Sequence, residues 1–144
     1  MLPDPPGPWR RLDWILLAAV IATALAVRLG YFFAVHDLMW FKQPLVDAAN
    51  YHRWALDILG GNILGTGVFV HSPLYPFLLA ALYLVTGPNP VAAAGIQLVL
   101  GAGACGLMFL VGRRYVSAPA GAAAGLLEAF YGISVFHEGT LLTV

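Results

Sequence analysis

Asp47 is the residue of this sequence best placed for acid–base chemistry. It opens a polar segment that runs to Leu59, with Pro44 before it and Gly60-Gly61 after it. A carboxylate at such a position can accept hydrogen bonds from the free N–H groups of a first helical turn and act as an N-cap. It can also take a proton from an incoming hydroxyl group as a general base. The two roles are compatible.

Two further charged residues interrupt long apolar runs. Arg28 lies in the last third of the first run, where it could reach the membrane interface or face neighbouring helices and hold an anionic group such as a lipid phosphate. Glu128 lies near the middle of a later run, and a carboxylate inside a membrane segment indicates a functional site. Arg28 and Glu128 could therefore form the buried polar pair of a small transporter or channel subunit.

The histidines give no clear metal site. His52, His71 and His137 could ligate a divalent cation together with Asp47 and Glu138, but the close spacing that distinguishes metal sites is missing. We assign no metal ligands and leave the cofactor open. The sequence also has no phosphate-binding loop, no nucleophile elbow and no dinucleotide-binding fingerprint.

The composition is that of an integral membrane protein. Of 144 residues, 60% are hydrophobic and only 10% are charged, whereas soluble domains carry about 25% charged residues. The formal net charge is zero, so no electrostatic footprint for nucleic acid exists. We predict an all-α, polytopic bundle of membrane helices.

The first apolar segment is predicted to anchor the chain. A proline-rich leader covers residues 1–13, and residues 14–35 would rise about 33 Å as a helix, enough to cross the hydrocarbon core. Arg10 and Arg11 place the N-terminus in the cytoplasm by the positive-inside rule. Ala24-Leu25-Ala26 resembles a signal cleavage site, but the apolar segment continues past it, so we favour an anchor.

The segment after the first span is predicted to be an outer loop with two helices. Residues 47–59 form an amphipathic helix, with Tyr51, Trp54 and Ile58 on an aromatic face suited to the membrane surface. Residues 73–86 would rise only about 21 Å, which is short for a span. If they lie on the surface, the outer loop extends over residues 36–90.

Three spans then fit the charges better than four. With spans at residues 14–35, 91–112 and 118–136, Arg113-Arg114 falls in the cytoplasm, in accordance with the positive-inside rule. Counting residues 73–86 as a fourth span would place these arginines outside. The three-span arrangement also puts Glu138 on the side of Asp47. The chain ends on an apolar stretch, so we expect the front part of a larger protein.

Small residues mark possible helix contacts. Gly121-Ala122-Ala123-Ala124-Gly125 is a GxxxG pattern, and Gly101-Ala102-Gly103-Ala104 provides another small face. Such faces let membrane helices approach closely, although the pattern is also common in any alanine- and glycine-rich span. Cys105 lies in an apolar run and is predicted to be a packing residue. A non-catalytic membrane scaffold with helix-packing glycines alone is the third functional hypothesis.

An ordered series of short segments follows Arg28 and resembles the N-terminal part of GT-C glycosyltransferases, of the protein O-mannosyltransferase and aminoarabinose-transferase type. The series covers nearly the whole chain after the leader and the first part of such an enzyme. Its segments are Asp47-Ala48-Ala49-Asn50-Tyr51-His52-Arg53-Trp54-Ala55, Gly60-Gly61-Asn62, His71-Ser72-Pro73-Leu74-Tyr75-Pro76, Gly87-Pro88-Asn89, Gln97-Leu98-Val99-Leu100-Gly101-Ala102, Gly112-Arg113-Arg114, Tyr131-Gly132 and His137-Glu138-Gly139.

The resemblance implies transfer of a sugar from a polyprenyl-phosphate donor to an acceptor hydroxyl of a protein, lipid or glycan. It implies the outer face of a bacterial plasma membrane as the location. The family's acidic residue of the first outer loop, the catalytic base, corresponds to Asp47, and a second acidic position in substrate or metal binding corresponds to Glu138. Many members have Asp-Glu at Asp47-Ala48 and His-Pro-Pro at His71-Ser72-Pro73, so the sugar and the acceptor stay open.

Positive charge near the interface would stabilise a lipid phosphate leaving group. Arg28, Lys42 and Arg53 are the candidate cations, and His71 joins Arg28 and Arg53 among the expected substrate-binding residues.

Overall fold

The protein is helical throughout the part that the structure describes. A computed structural model describes residues 7–43, 46–63 and 74–140, and contains no strand within these ranges. The helices of the described ranges are α1 (Arg11–Val35), α2 (Met39–Lys42), α3 (Val46–Leu59), α4 (Leu74–Thr86), α5 (Pro90–Tyr115), α6 (Ala118–Ala129) and α7 (Gly132–Gly139).

Helix α1 begins at Arg11, three residues before the predicted start of the first span. The end of the predicted leader, residues 11–13, is therefore helical. The cause is Asp13 in the first turn, whose carboxylate accepts a hydrogen bond from the backbone N–H of Arg10 at 3.0 Å. An acidic side chain that reaches back to the residue before the helix is one half of a capping box.

The two helices of the predicted outer loop are present. Helix α3 begins at Val46, one residue before the predicted start, and ends at Leu59 as expected. Gly61 follows with a φ of 92°, a left-handed conformation that glycine adopts without steric cost. Helix α4 ends at Thr86, and Gly87 closes it in the same way with a φ of 71°. Pro73, the predicted first residue of this helix, lies outside the described residues.

Helix α5 is longer at both ends than the predicted span of residues 91–112. The side chain of Asn89 accepts hydrogen bonds from the backbone N–H groups of Val91 and Ala92, at 3.0 and 3.2 Å, so the helix begins at Pro90. Arg113 and Arg114 form its last turn, where cations interact favourably with the carbonyl end of the helix dipole. The predicted span of residues 91–112 therefore lies within a longer helix that includes both arginines.

The last predicted span, residues 118–136, is not one continuous helix. Helices α6 and α7 are bent by 53° across the break at residues 130 and 131. The N–H groups of Phe130 and Tyr131 bond to the carbonyls of Leu126 and Glu128, which ends α6 in a tight turn, and Gly132 starts the next helix. Glu128 therefore lies one residue from the end of α6, next to the break between the two helices.

Two helices, α1 and α5, are long and apolar enough to cross a membrane, and α6 with α7 could form a third, bent span. Helix α4 has only 13 residues and is too short. Large apolar side chains on α1 and α5 point away from the rest of the protein; examples are Ile15, Phe33, Leu107 and Val111. Such exposure is costly in water and costs nothing in lipid, consistent with an integral membrane protein.

The described residues divide into two compact units. One unit contains residues 7–32 and 98–135, and the other contains residues 33–43, 46–63, 74–97 and 136–140. In the first unit α1, α5 and α6 share one buried core, with Leu16, Leu17 and Leu25 packed against it. The core residues are Val20, Ala24, Ala102, Cys105, Phe109, Ala122 and Ala129. The prediction that Cys105 is a packing residue is confirmed.

Helices α5 and α6 approach until their backbones touch. A Cβ atom on Gly112 would lie 2.6 Å from the Cα of Gly121, and one on Gly121 would overlap the carbonyl oxygen of Phe109. One on Gly125 would lie 2.9 Å from the carbonyl oxygen of Cys105. The GxxxG pattern is therefore a packing surface, as small residues are in membrane helices. In the other predicted small face, Ala102 is buried but Gly103 is exposed, so only half of it packs.

A buried ion pair joins the start of α1 to the end of α5. Arg113 donates to one carboxylate oxygen of Asp13 from Nε at 3.0 Å and from Nη2 at 2.8 Å, and each side chain is only 9% exposed. The face of the same guanidinium covers the ring of Trp9 at 4.3 Å. These two helix ends therefore lie on one side. If both helices cross a membrane, an odd number of further crossings cannot lie between them, because the segment that connects them must begin and end on the same side.

Candidate functional site

Helices α3 and α4 pack against each other through aromatic side chains. Tyr51 on α3 meets the edge of Tyr75 on α4, with ring centroids 5.0 Å apart and ring planes at 77°. Ala48 and Ala55 are also buried on this face of α3. Tyr51, one residue of the aromatic face predicted to lie on the membrane surface, is thus covered by α4, whereas Trp54 and Ile58 are partly exposed.

His52 extends this contact with a hydrogen bond. Its Nδ1 lies 2.6 Å from the hydroxyl of Tyr83, and the two rings are 5.5 Å apart in an edge-to-face arrangement. Burial lowers the pKa of His52 below its usual 6.5 and raises the pKa of Tyr83 to about 12. Both side chains are therefore neutral near pH 7 and share a single hydrogen bond. The hydrogen bond to Tyr83 therefore gives His52 a structural role in the contact between α3 and α4.

Tyr75 ties the same pair of helices to the beginning of α5. Its hydroxyl accepts a hydrogen bond from Nε2 of Gln97 at 2.9 Å and lies 3.3 Å from Oε1 of the same amide. Burial raises the pKa of Tyr75, so the hydroxyl keeps its proton. A polar contact in this apolar setting fixes the position of α4 relative to the first two turns of α5.

Asp47 lies in the first turn of α3 and is partly exposed. The helix begins at Val46, so Asp47 is inside the helix and is not the N-cap that the sequence predicted. A carboxylate there still interacts favourably with the positive end of the helix dipole. Val46 itself has a φ of 50°, a left-handed conformation that is strained for a β-branched residue. The carboxylate of Asp47 is therefore accessible and held next to a strained backbone position.

The two exposed cations expected near this site have local partners. Nη2 of Arg53 donates to the side-chain oxygen of Asn50 at 2.7 Å, one turn earlier on α3. Nζ of Lys42 donates to Asp37 at 2.8 Å. That hydrogen bond, with the charge of His36, holds the pKa of Asp37 below its usual value. Arg53 keeps an exposed guanidinium, whereas the charge of Lys42 is already neutralised.

Glu138 belongs to the same compact unit as Asp47, although 90 residues separate them in the sequence. Glu138 and His137 are both partly exposed near the end of α7. Among the described residues no three histidine, cysteine or acidic side chains come together as a possible metal site. His71, the remaining expected substrate-binding residue, lies outside the described ranges.

Arg28 is buried in the first unit, with a side chain only 1% exposed. It therefore faces the interior of the protein, and the snorkelling interpretation is wrong in this structure. Glu128 is partly exposed and forms no ion pair with Arg28 in the portion of the chain described. The buried Arg28–Glu128 pair expected for a transporter is thus not formed.

Several polar contacts were missed from the sequence. The bond between His52 and Tyr83 and the bond between Tyr75 and Gln97 each join residues more than twenty positions apart. The recurrence of Tyr75 and Tyr83 two helical turns apart was an available signal of a shared face. No local pattern could have paired Asp13 with Arg113, which lie 100 residues apart.

No protein-family model, no curated protein and no solved structure matches this chain.

Proposed function

We propose that the chain is the N-terminal part of a GT-C-type glycosyltransferase that uses a polyprenyl-phosphate sugar. The observation that carries the proposal is the position of Asp47. It is an accessible carboxylate in the first turn of an amphipathic helix that follows the first membrane helix, and it shares a compact unit with Glu138. A first outer loop with an acidic residue on a surface helix is the arrangement that the resemblance implies.

The ion pair between Asp13 and Arg113 supports the proposed topology. It keeps the start of α1 and the end of α5 on one side, which is the cytoplasmic side by the positive-inside rule. Helix α4 then lies in the outer loop, together with α3. If α6 and α7 return across the membrane as one bent span, Glu138 reaches the outer side as well. The proposed location is the outer face of a bacterial plasma membrane.

The proposed reaction is a displacement at the anomeric carbon of the donor sugar. The acceptor hydroxyl oxygen bonds to that carbon while the bond to the phosphate oxygen breaks, and polyprenyl phosphate leaves with the electron pair. The carboxylate of Asp47 takes the hydroxyl proton. Arg53 is the exposed cation for the phosphate, because Lys42 is neutralised by Asp37. Arg28, Glu138 and His71 are proposed as further substrate-binding residues.

Asp57 provides a matched control for testing Asp47. Both acids lie on α3, but Asp57 is exposed on the opposite end of the helix. Membranes that contain the intact enzyme, of which this chain is proposed to be the N-terminal part and which the chain alone does not replace, are supplied with radiolabelled polyprenyl-phosphate mannose or aminoarabinose. They are assayed for label in protein, lipid and glycan fractions. Asp47→Asn should reduce transfer about 100-fold or more. Asp57→Asn should stay within about twofold of the original protein.

Three outcomes would contradict the proposal. These are an absence of donor binding and transfer, unchanged transfer in Asp47→Asn, and equal losses in both variants. The transport alternative has less support because Arg28 and Glu128 do not pair among the described residues. The scaffold alternative gains support if substitutions at Asp47, Arg53 and His71 are all tolerated.

A further inference from the structure

A cleft of about 440 Å³ opens where α1 begins and where α5 turns into α6. It lies entirely within the unit formed by residues 7–32 and 98–135. By the positive-inside rule this is the cytoplasmic end of the spans. The lining side chains that matter for the chemistry are Arg10, Leu12, Asp13, Arg113, Val116 and Ser117.

Arg113 is held in place on one side of the cleft, and one of its guanidinium nitrogens can still donate hydrogen bonds. Its Nε and Nη2 bind Asp13, and Nη2 also reaches the carbonyl oxygen of Gly7 at 3.2 Å. Stacking on Trp9 holds the guanidinium plane. Nη1 makes no hydrogen bond within the described part of the chain. Arg113 is therefore a pre-oriented donor rather than a flexible surface cation.

Arg10 supplies a second and unneutralised charge. Its guanidinium is exposed and forms no ion pair or hydrogen bond with any residue that the structure describes. Two arginines, Arg10 and Arg113, and one aspartate line the cleft, and Arg113 already binds that aspartate. The cleft is therefore electropositive and suits an anion.

The remaining lining points to an anion with an apolar tail. The hydroxyl oxygen of Ser117 accepts a hydrogen bond from the backbone N–H of Ala120. The hydroxyl hydrogen of Ser117 can therefore still be donated to a ligand. Leu12 and Val116 are 57% and 76% exposed at the cleft, so apolar surface flanks the cations. Trp14, exposed and 4.4 Å from Trp9 between ring centroids, adds an indole of the kind that sits at headgroup depth.

We propose that this cleft binds the phosphate headgroup of an anionic phospholipid of the cytoplasmic leaflet. Arg10 and Nη1 of Arg113 contact the phosphate, Ser117 donates a hydrogen bond, and the acyl chains run along Leu12 and Val116. Basic pockets between membrane helices on the cytoplasmic side bind anionic lipids in this way. The proposal does not depend on sugar transfer at Asp47.

Arg10 and Arg11 form a matched pair for the test. They are adjacent and equally charged, and both are exposed, but only Arg10 lines the cleft. The 144-residue chain, purified in a non-ionic detergent, is titrated calorimetrically with dihexanoyl phosphatidylglycerol, with dihexanoyl phosphatidylcholine and with sodium phosphate. We expect saturable binding of phosphatidylglycerol alone. Arg10→Gln should weaken it about fivefold, while Arg11→Gln and Arg10→Lys should change it less than about twofold.

The side chain of Arg10 makes no hydrogen bond or ion pair within the described ranges, and its charge adds only a minor attraction to Asp13, so Arg10→Gln should leave the circular dichroism and gel-filtration profile unchanged. An equal loss of phosphatidylglycerol affinity in Arg10→Gln and Arg11→Gln would indicate attraction to the basic surface in general and would refute a specific site in the cleft. Binding of phosphatidylcholine as tight as that of phosphatidylglycerol, or absence of binding, would also overturn it. Sodium phosphate binding as tightly as the lipid would assign the cleft to free phosphate instead.

Discussion

The contact between α5 and α6 predicts that one added methyl group has opposite effects at two glycines of the same helix. Gly103 and Gly112 both lie within α5. A Cβ at Gly103 meets no atom within 4 Å, whereas one at Gly112 lies 2.6 Å from the Cα and 2.9 Å from the backbone nitrogen of Gly121. Those atoms are backbone and cannot rotate away, so the two helices must separate.

The magnitude follows from two opposing effects. Replacing a helical glycine by alanine stabilises by about 1 kcal/mol, and Gly103→Ala should show this gain. Overpacking against rigid neighbours costs about 3 kcal/mol at the upper end of its usual range, so Gly112→Ala should be destabilised by about 2 kcal/mol net. Because both variants add the same methyl group to the same helix, their difference of about 3 kcal/mol isolates the close approach.

The assay is unfolding of the purified protein by titration of sodium dodecyl sulfate into a mild detergent, followed by circular dichroism. Gly121→Ala, whose Cβ would overlap the carbonyl oxygen of Phe109, should behave like Gly112→Ala. Equal stability of Gly112→Ala and Gly103→Ala would refute the backbone contact between α5 and α6.

Three other predictions concern single contacts. Asp13→Asn and Arg113→Gln should each lower the unfolding temperature. The double variant should unfold at nearly the same temperature as either single variant, because each of the three proteins lacks the same ion pair. Additive decreases in unfolding temperature would contradict this. Val46→Gly should stabilise by about 1 kcal/mol because φ is 50° there, and Val46→Ala, which keeps the steric cost, should not. Burial lowers the pKa of His52, so stability should be constant above pH 6.5 and fall as the pH drops toward the lowered value, since the unfolded chain then binds the extra proton. Denaturant titrations across this range should show an unfolding free energy that depends less on pH for His52→Gln. Greater stability of the original protein in acid would contradict the assignment. An unchanged unfolding free energy after loss of the hydrogen bond to Tyr83 would contradict it as well.

The local elements were predictable because their signals are local. The residues that determine these elements lie within them or directly beside them. Examples are the apolar runs of α1 and α5 and the glycines that end α3. Helix α5 is longer than the predicted span because Asn89 caps its start and because the span was bounded by hydropathy, which ends at the two arginines although the helix continues through them. The break before Gly132 was missed because hydropathy stays high across it, and hydropathy does not report backbone hydrogen bonding.

The environment of the candidate site was less predictable because it depends on contacts between distant residues. Asp47 could be chosen from its position, yet whether Arg28 reaches the interface or the interior is decided by packing, which the sequence does not display. The sequence allowed His52 as a metal ligand, but in the structure its Nδ1 lies within hydrogen-bond distance of the Tyr83 hydroxyl. The role of Asp47 as a base stays a prediction.

The ion pair between Asp13 and Arg113 also constrains the order of events during synthesis. Its partners lie 100 residues apart, so the whole of α1 is synthesised well before Arg113. Until then Asp13 has only the neighbouring N–H of Arg10 as a partner, and the glycine-lined contact of α5 with α6 does not yet exist. Helix insertion and helix association are therefore separate stages for this chain. If α1 and α5 both cross a membrane, the pair can close only after both helices have been inserted with these two ends on the same side.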